Sequence, residues 1–155
     1  MDKNLKKLIQ DYLQEAKLMQ LATVVENQPW ASSVWFAADN DLNIYWISSI
    51  TRRHSQEVLK NKKVAAAICL PQSPKDTPRG LQLEGTAELL TDKKSIVKAI
   101  FLFAGRIFTK TQIKQFMKDK NHPHRFYKIT PTQFVLFDSL NFPDDSRQEY
   151  NLKTT

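Results

Sequence analysis

The sequence predicts a small antiparallel β-barrel with helices inserted between its strands, a fold that is mainly β within the α+β class. Along its 155 residues, short stretches rich in β-branched and aromatic residues alternate with tight polar turns, and about six or seven strands are expected. The long alternation of strands and helices that marks a doubly wound parallel sheet is missing. Apolar residues make up 41% of the chain, which is enough for one hydrophobic core. We therefore expect residues 1–155 to form a single domain.

Residues 1–17 predict a helical lid at the N-terminus. Leu5, Ile9 and Leu13 recur at four-residue spacing and so share one face of an amphipathic helix. Asp2 is in position to cap the start of this helix. We expect the apolar face to pack on the body of the domain.

The next part of the chain predicts an antiparallel meander, then a helix and a fourth strand. The three strands of the meander are expected at residues 18–25, 30–38 and 42–47, because short turns rich in Asn, Asp and Pro separate them. The helix is expected at residues 52–61 and the fourth strand at 63–70.

The second half of the chain predicts further strands and two more helices. A strand is expected at residues 80–90, with a bulge or a tight bend at Gly85, where its alternation breaks. The remaining predicted elements are, in order, helices at 92–108 and 111–120, the second capped by Thr109, closing strands at 125–130 and 132–140 separated by Pro131, and an irregular tail at 141–155.

Hydroxyl and guanidinium groups cluster where the third strand passes into the helix that follows it. Ser48, Ser49 and Thr51 precede the adjacent Arg52 and Arg53. A helix N-terminus offers unpaired backbone N–H groups and the positive end of the helix dipole, and arginine binds phosphate through a fork of hydrogen bonds. The pattern therefore indicates a phosphate-binding site. The alternative is an ordinary polar turn whose arginines lie in water, since Ser and Thr are common at helix starts.

The composition narrows the class of partner and the expected location. The net charge is +7, but the lysines are scattered and no aromatic stripe is interleaved with a basic tract. Nucleic-acid binding is therefore disfavoured and a small anionic ligand is favoured. The sequence has no apolar run of transmembrane length and no signal peptide, so a cytoplasmic location away from membranes is expected. The single cysteine, Cys69, follows an apolar run and is expected to be a buried small hydrophobe.

The residues that serve protein-only catalysis are scarce in this sequence. The three histidines are His54, His122 and His124, and they do not have the spacing of a metal site with Cys or carboxylate partners. With three glycines in the chain there is no glycine-rich phosphate loop, and no serine nucleophile motif occurs. If the protein is an enzyme, a cofactor must therefore supply its chemistry.

Three segments give the chain a family resemblance. They are LATVVENQPWASSVWFAADNDLNIYWISSITRRHSQEVLKNKKVAAAI at residues 21–68, GLQLEGTAELL at 80–90 and FYKITPTQFVLFD at 126–138. The first contains, in order, a strand, a proline turn, a strand, a turn, an aromatic strand ending in Ser, an arginine pair at a helix start, and a strand of small residues. This order resembles the flavin-binding split barrels of the pyridoxamine 5′-phosphate oxidase-like superfamily, over residues 5–140.

The resemblance implies a homodimer that binds FMN in clefts between its two subunits. The implied phosphate contacts are Thr51, Arg52 and Arg53. The strand whose backbone lines the flavin ring contains Ser32, Ser33 and Val34. The strand end that holds the ribityl chain and ring contains Trp46, Ile47, Ser48 and Ser49. The aromatic fraction of 10% agrees with an apolar subunit interface, for which the candidate residues are Trp30, Trp35, Trp46 and Phe36.

The sequence departs from the oxidase that gives the superfamily its name. That enzyme has a basic residue at the end of its second strand, where this chain has Val34-Trp35-Phe36. It also ends in a signature of Trp, Arg and His, of which Arg147 is the single candidate remnant. The resemblance therefore implies a general FMN-dependent oxidoreductase whose small-molecule substrate and electron donor or acceptor stay open.

Two alternatives to a flavin enzyme stay open as well. One is a non-catalytic flavin- or haem-binding barrel, in which the candidate axial ligands of a haem are His54, His122 and His124. The other, less favoured, is a nucleic-acid-binding barrel, whose binding to DNA would fall steeply with salt.

Overall fold

The computed structural model describes residues 4–119 and 121–152, which form seven strands and four helices. The strands are β1 (Leu18–Val25), β2 (Gln28–Ala38), β3 (Ile44–Ser49), β4 (Lys63–Cys69), β5 (Arg79–Leu89), β6 (His124–Asp138) and β7 (Arg147–Asn151). The helices are α1 (Leu5–Glu15), α2 (Arg53–Lys60), α3 (Lys93–Phe103) and α4 (Lys110–Lys118). Within this part of the chain, none of the helices has the length and apolar content needed to cross a membrane.

The strands form one antiparallel sheet that curls into a barrel. Their order is β3-β2-β1-β4-β5-β6-β7, and an additional pairing of β3 with β6 joins the two ends of the six-stranded part. The closure is uneven because β3 and β7 share one edge of β6: residues 124–129 pair with β3 and residues 133–137 pair with β7. The antiparallel barrel with helical insertions, predicted from the short-strand rhythm, is confirmed.

The closing strands are continuous, so the predicted division at Pro131 is wrong. Strand β6 runs through Pro131, which pairs with Gly85 where the register between β5 and β6 shifts. A proline has no N–H to donate, and a bulge is a place where the ladder is already interrupted. The bulge predicted at Gly85 is confirmed. A Cβ at this position would lie 2.8 Å from the Cα of Pro131, so the two strands can approach only because residue 85 is glycine.

The tail is also more ordered than predicted, because residues 147–151 form β7 rather than an irregular segment. This strand pairs with β6 beyond the point where β3 ends. Its side chains alternate between exposed and half-buried, and Tyr150 packs against the barrel core. The sequence of β7 is polar apart from this residue, which is why its strand pattern was missed.

Helix α1 covers the barrel, as predicted. Ile9 and Leu13 are buried in the core, at 0% and 1% exposure. The cap is Asn4, whose side chain accepts a hydrogen bond from the N–H of Lys7, whereas the predicted cap Asp2 lies outside the described residues. The other end of α1 is held by Arg106, a residue to which the sequence analysis gave no role. Its guanidinium donates to several carbonyl oxygens at the end of the helix.

Helix α3 ends five residues earlier than predicted, at Phe103. Gly105 follows with a φ of 72°, in the left-handed region that glycine adopts easily, and the chain turns there. The predicted cap of the next helix is confirmed: the Thr109 side chain accepts from the N–H of Gln112, and the Gln112 side chain accepts from the N–H of Thr109.

The apolar residues fall into two clusters, one inside the barrel and one on its outer face. Inside, Trp46 and Tyr127 are fully buried and stack with ring centroids 4.8 Å apart. Outside, Phe103 of α3 packs on Tyr45 and Phe126, which belong to the outer face of β3 and β6. Apolar side chains therefore pack against both faces of the β3–β6 pair.

Cys69 is exposed, so the prediction that it is buried is wrong. The side chains of Val64, Ala66 and Ile68 point into the barrel, and the strict alternation of β4 places Cys69 on the outer face. An apolar run preceding a residue does not reveal to which face that residue belongs.

Candidate functional site

The predicted phosphate site lies at a tight turn between β3 and α2. Strand β3 ends at Ser49, and Arg52 is the N-cap residue of α2, with its backbone N–H donating to the carbonyl of Ser49 over 3.1 Å. The hydroxyls of Ser49 and Thr51 are 2.9 Å apart. No side chain of the described residues caps the start of α2. Backbone N–H groups of the first turn are therefore available to a ligand.

The two arginines at this turn have different surroundings. Arg53 donates from Nε to Glu57 over 2.7 Å, and its guanidinium stacks on the Trp30 ring at 4.1 Å from the centroid. Arg52 is exposed, and within residues 4–119 and 121–152 its guanidinium has no hydrogen-bond acceptor or ion-pair partner. Among the described residues, Arg52 is therefore the arginine of this turn that is available to an anionic ligand.

Glu57 explains why Arg53 points along the helix rather than towards its start. The Glu57 side chain is only 10% exposed and accepts hydrogen bonds from Thr23 and Arg53. Burial alone would raise the pKa of this carboxyl, but the two hydrogen bonds and the charge of Arg53 hold the pKa below its ordinary value. Glu57 is therefore a buried anion that needs the Arg53 cation.

Two histidines lie next to the turn. His54 Nε2 is 2.7 Å from the Ser48 hydroxyl, and His124 is opposite Ser49 in the β3–β6 pairing. Burial, followed by the neighbouring positive charge of Arg52, lowers the pKa of His54. Burial, followed by His122 and Arg52, lowers the pKa of His124. Both imidazoles are therefore neutral at neutral pH, and the positive charge of Arg52 helps to lower the pKa of each.

A cavity of about 350 Å³ adjoins this turn on the outer face of the barrel. We call it the α4 cavity; its lining residues are Trp35, Ile47, Phe108, Gln112, Gln115, Phe116, His122 and His124. Its size falls in the range of small-molecule sites, and its walls combine aromatic rings with two amide side chains. His124 lines this cavity, and Arg52 of the turn is close enough to lower its pKa, so the cavity and the turn are neighbours.

The predicted site residues divide between the two faces of the barrel. On β2 and β3, Ser33, Ile47 and Ser49 point outwards, on the same side as Trp35 and the α4 cavity. The inward-pointing residues are Ser32, Val34, Trp46 and Ser48. Residues of the inward set can face an outer ligand only through their backbone. The structure thus brings Ile47, Ser49, Thr51 and Arg52 together, and separates the Trp46 and Val34 side chains from them.

Several lining residues were not assigned to the site from the sequence. Gln112, Gln115 and Phe116 belong to α4, and His122 follows it in the loop to β6. The sequence indicated the helix through its cap and apolar spacing, but not that α4 lies over the outer face of β3. In the part of the chain that the structure describes, no group of three or more His, Cys, Asp and Glu side chains is arranged to hold a metal ion.

The antiparallel sheet, its uneven closure and the covering N-terminal helix define a split β-barrel. A family model described as "Pyridoxamine 5'-phosphate oxidase" matches residues 5–137. The chain belongs to this family. The match includes the turn at Arg52 and the whole lining of the α4 cavity, but not β7.

Solved structures show the same fold at low sequence identity. A candidate pyridoxamine 5′-phosphate oxidase from Listeria innocua is 22% identical, with a TM-score of 0.68, over 86% of this chain and 98% of that one. General Stress Protein 26 from Bacillus anthracis is 16% identical, with a TM-score of 0.69, over 97% and 100%. The heme storage protein HutZ from Vibrio cholerae is 19% identical, with a TM-score of 0.68, over 83% and 91%. No curated protein matches the chain.

Proposed function

We propose that this protein binds FMN and acts as an FMN-dependent oxidoreductase on a small molecule. The observation that carries the proposal is Arg52, an exposed cation without a protein partner in the described residues, at the uncapped start of α2. A phosphate at this place would accept hydrogen bonds from Arg52, from the hydroxyls of Ser49 and Thr51, and from backbone N–H groups of the first helical turn. Arg53 would contribute its charge from a greater distance, because Glu57 holds it.

The α4 cavity suits the ring system of a flavin. Trp35 and Phe116 offer aromatic surface, Ile47 offers an apolar one, and Gln112 and Gln115 offer amide donors and acceptors for the polar edge of the ring. FMN would supply the electron transfer, for which the side chains of the described residues offer no substitute. The protein would bind the phosphate, orient the ring and limit the access of water.

A fluorescence titration tests the phosphate site directly. FMN should bind the wild-type protein more tightly than riboflavin, which has no phosphate. Arg52→Ala should remove most of this difference and leave riboflavin binding unchanged. Equal affinity of the wild type for the two flavins would contradict the proposal.

The reaction of pyridoxamine phosphate oxidase itself is not what we propose. Arg147, the candidate remnant of that enzyme's signature, lies in β7 and forms an ion pair with Glu149. It is not among the residues that line the α4 cavity. The substrate is therefore described only as a small molecule.

We also propose that the functional unit is a homodimer formed through the outer face of the sheet. Leu18, Trp35 and Phe137 are exposed there at 38%, 53% and 41%. Small residues of β4, with Ala67 and Cys69 facing outwards, leave room for a close approach of a second sheet. Of the other aromatic residues suggested for an interface, Trp30 is exposed, whereas Trp46 and Phe36 are fully buried in the barrel.

The dimer can be tested with the single cysteine. Cys69 is exposed in the isolated subunit, so a dimer through this face should slow its alkylation. Phe137→Asp should give a monomer in sedimentation and fast alkylation of Cys69. The matched control is Leu140→Asp, because Leu140 is 64% exposed but lies beyond the sheet. A wild-type monomer at micromolar concentration would contradict the proposal.

One observation favours haem as a second candidate ligand. His122 and His124 have ring centroids 5.0 Å apart and both line the α4 cavity, where a neutral imidazole could ligate an iron. A haem titration with a shifted Soret band would support this function if His124→Ala abolishes the shift. His54→Ala is the matched control, since the Nε2 of His54 is already bonded to Ser48 and its side chain does not line the cavity.

A further inference from the structure

A second cavity lies beside the α4 cavity and has no role in the function proposed above. It has a volume of about 400 Å³ and lies between α3, the end of α4 and the start of β6. We call it the α3 cavity; its apolar wall consists of Leu90, Ile96, Val97, Ile100, Phe116 and Phe126. Phe116, His122 and His124 line both cavities, so the two are neighbours.

The rim of the α3 cavity carries more positive than negative charge. Lys93 and Arg125 line it, against the single carboxylate of Asp119. Burial lowers the pKa of His124, which also lines this cavity, so its imidazole adds no charge at neutral pH. Two cations next to an apolar wall complement an organic anion with a hydrophobic body.

The position of Lys93 favours a ligand-binding role over a structural one. It is the first residue of α3, directly after the cap Asp92. A cation at a helix N-terminus is opposed by the helix dipole, so Lys93 does not help the helix to form. It also makes no ion pair among the residues that the structure describes.

Arg125 is held firmly at the same rim. Its Nη1 group donates to the carbonyl oxygens of His122 and His124, which fixes the guanidinium over the loop. Its other N–H groups have no acceptor in the described part of the chain, and a fork of this kind suits a carboxylate.

We propose that the α3 cavity binds a small hydrophobic carboxylic acid, with the apolar body against α3 and the carboxylate between Lys93 and Arg125. The size of the cavity fits one or two fused rings or a short branched chain. Binding of such an acid does not depend on FMN. Its further role, as the substrate or effector class of the flavoprotein, rests on the function proposed above, because the shared wall would bring it next to the flavin.

Calorimetric titration with two matched probes tests this site. The probes are 2-naphthoate and its uncharged counterpart 2-naphthamide, added to the protein without flavin. We expect 2-naphthoate to bind at least about tenfold more tightly, since each charge-assisted contact, to Lys93 or to Arg125, accounts for a factor of this order. Val97→Trp, which fills the cavity, should abolish the binding of both probes; if its melting temperature falls, Val97→Phe replaces it.

Adjacent lysines provide the matched control for charge. Lys93→Gln should weaken the binding of 2-naphthoate by about tenfold and leave that of 2-naphthamide unchanged, because Arg125 remains as the second cation. Lys94→Gln, one residue further and outside the cavity lining, should change neither. The proposal is overturned if neither probe binds, if both bind equally, if the two lysine variants behave alike, or if a filled cavity still binds. FMN affinity should be unchanged by Lys93→Gln, so failure of this site and failure of the phosphate site are separate results.

Discussion

Substitution of Arg52 and substitution of Arg53 should impair different properties of the protein, although the two residues are adjacent and look equivalent in the sequence. The resemblance assigned Arg52 and Arg53 together to the phosphate. In the structure, Arg53 is engaged by Glu57 and Trp30, and Arg52 has no such partner among the described residues. Arg52→Ala should therefore mainly impair FMN binding, and Arg53→Ala should mainly lower stability.

The magnitudes follow from the kinds of contact that are lost. A hydrogen bond to a charged group contributes roughly 1.5–3 kcal/mol, so Arg52→Ala should weaken FMN binding by about tenfold to a hundredfold. Arg53→Ala leaves the buried Glu57 carboxylate with only its bond from Thr23. The Arg53 side chain is 45% exposed, which screens the pair, so we expect a loss of about 1 kcal/mol of folding stability. For a domain of this size that loss lowers the melting temperature by about 2–4 °C.

The assay is a titration of FMN and riboflavin by flavin fluorescence, together with thermal unfolding of each apoprotein. Arg53→Lys keeps the charge but loses the stacked guanidinium, and should recover part of the lost stability. If Arg53→Ala weakens FMN binding as strongly as Arg52→Ala does, the different roles inferred from the Glu57 contact are refuted. Loss of riboflavin affinity in Arg52→Ala would show that this residue does not act through the phosphate.

Three further predictions concern stability. Ile9→Ala should cost about 2–5 kcal/mol in chemical unfolding, because Ile9 is fully buried under α1, and a near-zero effect would show that the helix is not part of the core. Arg106→Met should cost about 1–3 kcal/mol, because the carbonyl groups at the end of α1 lose their donors, and Arg106→Lys should restore only part of it; equal melting temperatures of wild type and Arg106→Met would exclude this role. Although burial of Asp39 opposes ionisation, hydrogen bonds from Lys98 and Asn43 hold its pKa below the ordinary value. The ionised Asp39 carboxylate contributes to folding stability above about pH 3.9, and this contribution is lost as the pH falls through the lower pKa of the folded state. The fall in melting temperature between pH 7 and pH 3 should therefore be smaller in Lys98→Met than in the wild type. An equal fall in the two proteins would contradict this prediction.

The strands of the barrel could be predicted because their signals are local. The sequence at residues 18–25 matches the observed β1 without change, and that at 63–70 differs from β4 by one residue. The third strand was placed two residues too early, since Leu42 adopts a φ of 68° in the turn and the Asp39 carboxylate accepts from the N–H groups that follow. Turn chemistry set by a carboxylate five residues before the start of the strand at Ile44 has no periodic signature.

The candidate site could be predicted only in part, because its two halves differ in sequence distance. Ser49, Thr51 and Arg52 are neighbours along the chain, so their grouping was visible without a structure. The α4 cavity joins β2 and β3 to a helix and a loop more than 60 residues later, and only folding brings these together. The Arg53–Glu57 ion pair could be predicted in part. Its four-residue spacing is visible in the sequence of a helix, but its strength depends on the burial of Glu57, which only the fold sets.

By itself, the sequence determined most of the antiparallel strands, the covering N-terminal helix, the bulge at Gly85 and the cluster of hydroxyl and guanidinium groups at the start of α2. Each of these depends on alternation, spacing or turn residues within about ten positions of one another. The tertiary structure decided which arginine is available, that Cys69 faces outwards, that β6 continues through Pro131, and that two cavities meet at Phe116 and the histidines. Those outcomes depend on which distant segment covers each face of the sheet. Contacts between segments far apart in the chain produce no periodic pattern in the sequence, so they could not be predicted from it.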